Sequence, residues 1–219
     1  MFSKFTNKRA ETILEVTIAL FIIGVGITVS SMVLNRSLNV TAQNKLWLEG
    51  VYFAKEGLEG VRNLSDTNLL RYSDPGCWKT IETADVCDPT TPNGSPMMAN
   101  SEETNFYSMF FDYVDFTWSL VEANSANDWE DNAIIARLPN EYSIFKKYLG
   151  PSETLPIYIG QTTGAENTFF YRRIHVESIT LDVDQDDSDE VLMVTSEVKW
   201  PYRNKVFHYE TSTELNQTQ

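Results

Sequence analysis

Glu15 is an acid at the margin of an apolar run, within ETILEVTIALF. A carboxylate carried to a bilayer centre costs about 2.5–3.5 kcal/mol, and less near the interface, so it calls for a cationic partner. Two readings are open on position alone. Glu15 marks the interfacial end of a membrane helix, or it pairs with an amino terminus generated by cleavage just ahead of it. A second acidic group, Asp182, Asp184 and Asp186, repeats the first three ligand positions of a calcium loop. Asp187 then stands where the turn glycine belongs and Met193 where the bidentate glutamate belongs. Calcium binding and a solvated hairpin turn, whose charge discourages edge aggregation, both fit this stretch.

The two cysteines, Cys77 and Cys87, are too few for a four-cysteine zinc site. They suit a disulfide, two free thiols, or half of a metal site. A disulfide would close a loop of about ten residues, worth roughly 2–3 kcal/mol by loop entropy, and is permitted outside the cytoplasm. The two histidines, His175 and His208, lie in strand-like segments. No helical histidine pair, nucleophile elbow or phosphate-cradling glycine loop accompanies them, so an enzyme is not expected. Arg172 and Arg173 suit either the acidic turn, a neighbouring subunit or plain solvent. The formal net charge of −14 disfavours nucleic-acid binding through phosphate contacts.

These residues need elements to hold them. Residues 1–10, MFSKFTNKRA, carry Lys4, Lys8 and Arg9 and no acid. Residues 16–34 are apolar and uncharged over 19 positions, about 28 Å of helix against a hydrocarbon core of roughly 30 Å. A secretory signal peptide has a shorter apolar stretch, with its cleavage site after it. The basic flank places residue 1 in the cytoplasm and everything after residue 34 outside.

Helical character continues beyond the membrane. Trp47, Val51, Ala54, Leu58, Val61 and Leu64 recur at steps of three and four, and no proline occurs before residue 70. A helix over 12–68 would measure about 85 Å. Its glycines, Gly24, Gly26, Gly50, Gly57 and Gly60, each weaken it by about 1 kcal/mol relative to alanine. Turn chemistry dominates 71–105, with Pro75-Gly76, Asp88-Pro89 and Pro92-Asn93-Gly94. Residues 106–121 are aromatic and strand-like, suited to core packing more than to an adhesive patch. Short helices are expected around 131–137 and 141–149. Segments 168–180, 191–200 and 205–215 read as an antiparallel meander, with a turn at 201–204. The fold class is therefore α+β, a long N-terminal helix packed by its apolar stripe on an antiparallel β-sheet head.

The segment Ala10-Glu11-Thr12-Ile13-Leu14-Glu15-Val16 resembles the class III signal of type IV pilins and of type II secretion pseudopilins. That pattern is a small residue, then Phe, Thr, Leu, a second aliphatic, Glu and a long apolar helix. The resemblance implies that a prepilin peptidase cuts after Ala10 and methylates Glu11. Glu15, fifth in the mature chain, would then pair with the amino terminus of a neighbouring subunit. Ala10 stands where the family prefers Gly, and Glu11 where it prefers Phe or Met. The stretch AKEGLEGVRNLSD is similar to the second helical half of bacterial pilin-like proteins, and the expected head matches the family's α/β-roll. The implied organisation is a leader over 1–10, a helix over 11–70 with 16–34 in the membrane, and an extracytoplasmic head over 71–219. The implied function is that of a minor pilin or pseudopilin in a type IV pilus or a related secretion or DNA-uptake filament. Its partners would be other such subunits, the peptidase, the inner-membrane assembly machinery and, before assembly, the lipid bilayer. It would move from the cytoplasmic membrane into a cell-surface pilus or a periplasmic pseudopilus. Some pseudopilins bind calcium in the head, which adds to the calcium reading of the acidic turn. A membrane-anchored binding domain that never polymerises is the competing reading.

Overall fold

The computed structural model describes residues 8–71, 77–80, 87–88, 91–92, 105–112, 117–122, 129, 142–147, 157–159, 166–184 and 187–216. The chain forms two compact units, Met1–Trp47 and Leu48–Gln219. Helix α1 (Lys8–Arg71) supplies residues to both. It begins about one turn before the expected start and runs to Arg71, close to the expected end near residue 68.

The first unit is helical from Lys8 onward. From residue 13 to residue 47 every side chain is exposed except the half-buried Leu46. Three of its hydroxyls are satisfied locally. Thr17, Thr28 and Thr41 each donate a hydroxyl proton to the carbonyl four residues back, at 2.7, 2.9 and 2.9 Å. That back-bonding lets a hydroxyl sit in an apolar helix without an orphaned donor.

The second unit packs residues of α1 on a seven-stranded antiparallel sheet. Its centre is β7 (Glu166–Asp184), followed in a meander by β8 (Asp187–Tyr202) and β9 (Lys205–Leu215). The other edge of β7 is shared by two hairpins. One is β3 (Asn105–Asp112) with β4 (Thr117–Glu122), and the other is β5 (Ser143–Lys147) with β6 (Ile157–Ile159). A separate pair, β1 (Cys87–Asp88) and β2 (Thr91–Pro92), follows a short 3-10 helix (Cys77–Lys79).

The meander agrees with the sequence reading, although β8 runs through Pro201 and the turn is confined to 203–204. Arg203 there adopts φ of 57°, the left-handed region that tight hairpin turns require. The aromatic run 106–121 is strand-like as expected and divides into the paired strands β3 and β4. One expectation is corrected. The helix expected near 141–149 gives way to β5, where Tyr142, Ser143 and Ile144 are buried and the backbone is claimed by β7 and β6. So short a window fits either period, and tertiary pairing decides it. The helix expected at 131–137 lies outside the described residues.

The core forms where Leu58, Val61 and Leu64 meet Ile174, Val176, Leu192 and Val194, with Tyr107, Met109 and Leu120 beside them. Even-numbered positions of β7 and β8 face the helix, as the period of two requires. Trp47, expected in the stripe, is 42% exposed. The glycines have a role that their helix propensity conceals. A Cβ on Gly50 would lie 2.5 Å from the Trp200 ring, and one on Gly57 would collide with the Ser196 hydroxyl. Both glycines let the helix backbone lie directly on the sheet. At the helix end the buried Asn68 amide donates to the Thr80 hydroxyl and carbonyl at 2.9 and 3.1 Å, bracing the segment that carries Cys77.

Gly57→Ala is expected to lower stability by up to about 2 kcal/mol, overpacking of roughly 1–3 kcal/mol being offset by a helix-propensity gain of ~1 kcal/mol. Gly60→Ala should cost less, because its nearest neighbour is the flexible end of Met109. Thermal unfolding followed by circular dichroism ranks the two.

Candidate functional site: the apolar helix surface and the charged sheet faces

The N-terminal residues singled out by sequence all lie on α1. Ala10 and Glu11 are in its first turn, and Glu15 follows one turn later. Glu15 is exposed, at the head of an exposed and uncharged apolar stretch. Among the described residues, the helix carries one stretch long and apolar enough to cross a membrane, and none of it is buried within the chain. Such a surface demands an apolar cover, from lipid or from another protein.

The second unit holds two charge clusters, one on each face of the sheet. Arg172 lies on the helix side, its side chain 3% exposed. Its Nη1 donates to Glu56 Oε2 at 3.1 Å and to the Phe53 carbonyl at 3.2 Å. This reach is open because Gly57 places no side chain over the Arg172 stem. Burial raises the Glu56 carboxyl above its ordinary value against the opposing pull of Arg172. Burial likewise lowers Arg172 against the pull of Glu56. Both directions say that mutual attraction recovers less than desolvation takes, the usual balance for a buried pair.

The opposite face carries Arg173, Glu197 and Lys199. Arg173 Nη2 meets Glu197 Oε2 at 2.9 Å, and Lys199 Nζ lies 3.7 Å from Glu197 Oε1. Lys199 also donates to the Trp129 carbonyl. The Arg173 guanidinium sits 4.2 Å from the Phe106 ring centroid and 4.8 Å from that of Trp129, and Lys199 is also 4.8 Å from the latter. The aromatic faces replace part of the lost hydration. His175 stacks on Phe106 at 4.6 Å. Burial lowers its imidazole, with Glu177 opposing and Arg173 reinforcing the shift. The expectation that Arg172 and Arg173 face solvent or the acidic turn is thus corrected, since each is buried beside its own carboxylate. The signal that could have found the place of Arg172 is the alternation of Phe170, Arg172 and Ile174, which puts it on the same face as the core residues. Glu56 as its partner, one helix turn from Gly60, had no signal in the sequence.

Cys77 is fully buried, while the side chain of Cys87 lies outside the described residues. Asp182 and Asp184 fall at the end of β7, where the register with β8 shifts between Leu181 and Asp184. Their side chains, and the whole of Asp186, are outside the described residues. Among the described residues no cluster of three or more His, Cys, Asp or Glu side chains suits a metal ion. His208 is exposed on β9. Comparison of the chain with protein-family models, curated proteins and solved structures gives no match.

Glu56→Ala is expected to cost about 3 kcal/mol, the low end for breaking a buried pair because Glu56 is partly exposed. The double replacement Glu56→Leu with Arg172→Met should recover most of that loss. Urea unfolding of Glu56→Leu, Arg172→Met and the double measures the coupling.

A depressed His175 contributes stability that is present above its unfolded value near 6.5 and lost as pH falls through the lower folded value. His175→Phe keeps the stacking and removes the titration. Its unfolding midpoint should therefore decline less than that of the parent chain between about pH 7 and pH 5.

Proposed function

We propose that the chain is a structural subunit of a pilus-like or secretion filament, a minor pilin or pseudopilin, assembled through the N-terminal part of α1. The observation that carries this reading is the exposed apolar surface over residues 16–34 with the exposed Glu15 at its head. Nothing else in the described residues covers that surface. Lipid satisfies it before assembly and neighbouring copies of the same helix satisfy it afterwards. Glu15 then needs a counter-charge in an apolar setting, and the amino terminus of a subunit cut after Ala10 supplies one. The basic residues Lys4, Lys8 and Arg9 orient the chain with residue 1 in the cytoplasm and the sheet unit outside. Outside the cytoplasm, pairing of Cys77 with Cys87 is part of the same proposal. The complete burial of Cys77 and the absence of a free cysteine among the described residues support it.

Intact-mass analysis of the native protein should place Glu11 at the mature end. Glu15→Lys should insert normally and enter filaments poorly. Leader retained in assembled material, or normal incorporation of the Glu15 variant, would overturn the reading in favour of an anchored domain that does not polymerise.

A further inference from the structure

β9 is the outermost strand of the meander, and among the described residues β8 is the strand that pairs with it. Exposed edges invite pairing with another chain, and proteins ordinarily blunt them with short strands, proline or bulges. β9 has none of these three, and its charged residues Lys205, Glu210 and Glu214 are the one blunting device it carries. It is 11 residues long, contains no proline, and keeps an unbroken register with β8 from Leu192↔Leu215 to Tyr202↔Lys205. The register of β7 with its neighbours, by contrast, shifts on both sides. β9 also alternates regularly. Thr213 faces the helix, where its hydroxyl accepts from Arg62 at 3.2 Å. His208, Glu210, Ser212 and Glu214 lie exposed on the opposite face, and Ser212 is hydrogen-bonded to Thr195 at 2.9 Å.

The charge along this strand is segregated. Arg203 and Lys205 stand at its start, Glu210 and Glu214 toward its end. In a chain of net charge −14, the edge is a locally balanced stretch with a basic end and an acidic end. A parallel copy in register opposes Lys205 with Lys205 and Glu210 with Glu210, which an antiparallel copy can avoid. Arg203 and Lys205 hold odd positions and the glutamates even ones, so the two sets lie on opposite faces and it is the even face that selects the register. Preserving the two faces restricts the register to pairings of odd with odd and even with even positions. Centring the pairing on Glu210 would oppose two glutamates. Centring it on Tyr209 places His208 of each copy directly across from Glu210 of the other, and Val206 across from Ser212. Both cross-strand His–Glu pairs can then form a hydrogen bond on the exposed face.

We infer that β9 is a self-docking edge, where two copies of this chain pair antiparallel about Tyr209 and join their sheets into one. Main-chain hydrogen bonds supply the attraction and the His208–Glu210 pairs fix the register. This contact is separate from the helix-mediated assembly proposed above and does not rest on it.

The full-length chain in detergent micelles provides the test. Sedimentation should show a dimer that His208→Glu weakens about tenfold, through two lost pairs and two like-charge contacts. Adding Glu210→His to that variant should restore the dimer, because the pairs re-form in the reversed sense. A double variant, Val206→Cys with Ser212→Cys, should yield a covalent dimer on mild oxidation, and neither single variant should. A chain that stays monomeric overturns the inference. So does a dimer indifferent to the charge exchange, which would mark association through α1. Capture of a different protein at the paired cysteines would also overturn it. Glu15→Lys should leave all of these β9 readouts unchanged, so failure of the filament reading and failure of this one remain distinguishable.

Discussion

The contact on which the second unit depends is the direct seating of helix backbone on sheet at Gly57. With no side chain there, Ser196, Ile174 and the stem of Arg172 approach the helix itself. That approach brings the guanidinium to Glu56 and to the Phe53 carbonyl. The stripe of Leu58, Val61 and Leu64 then joins the buried core of the sheet. Gly50 repeats the device two turns earlier over Trp200, which lies between Phe170 and Phe207. Two positions that weaken an isolated helix thus set its distance from the sheet.

The charges follow from that packing. A β-strand buried on both faces carries polar side chains into low dielectric, where each must find a partner. Adjacent arginines solve the problem in opposite directions, Arg172 toward α1 and Arg173 toward Glu197 and the aromatic rings. Neither pair is an efficient source of stability. What they provide is register. A slip of one residue in β7 would exchange the two arginines and leave both without their carboxylates.

The extent to which the sequence disclosed this structure varies with the range of the interaction. The apolar helix, its end near residue 70 and the strands of the meander were legible, because local periodicity and uncharged length determine them. The β3–β4 hairpin was hidden within a continuous aromatic run. β5 was hidden because a five-residue window fits either period. Glu15 was legible as an anomaly, a carboxylate beside an uncharged span. The partnership of Glu56 with Arg172 was not, since it joins residues 116 positions apart and arises only from the helix–sheet distance that Gly57 sets.

The early start of α1 bears on how the chain would be trimmed. The bond between Ala10 and Glu11 belongs to the helix in the uncut chain, whereas a peptidase active site generally needs its substrate backbone extended. Lys8 to Glu11 form the first turn, whose amide groups have no carbonyl of the same helix to bond. Unwinding there sacrifices few internal hydrogen bonds, so the end of the helix can open while the span beyond Glu15 stays wound. The proposed cleavage at that place would convert the basic helix start into a free ammonium group at the positive pole of the helix dipole. A carboxylate on an adjacent helix is the natural complement to that concentration of charge.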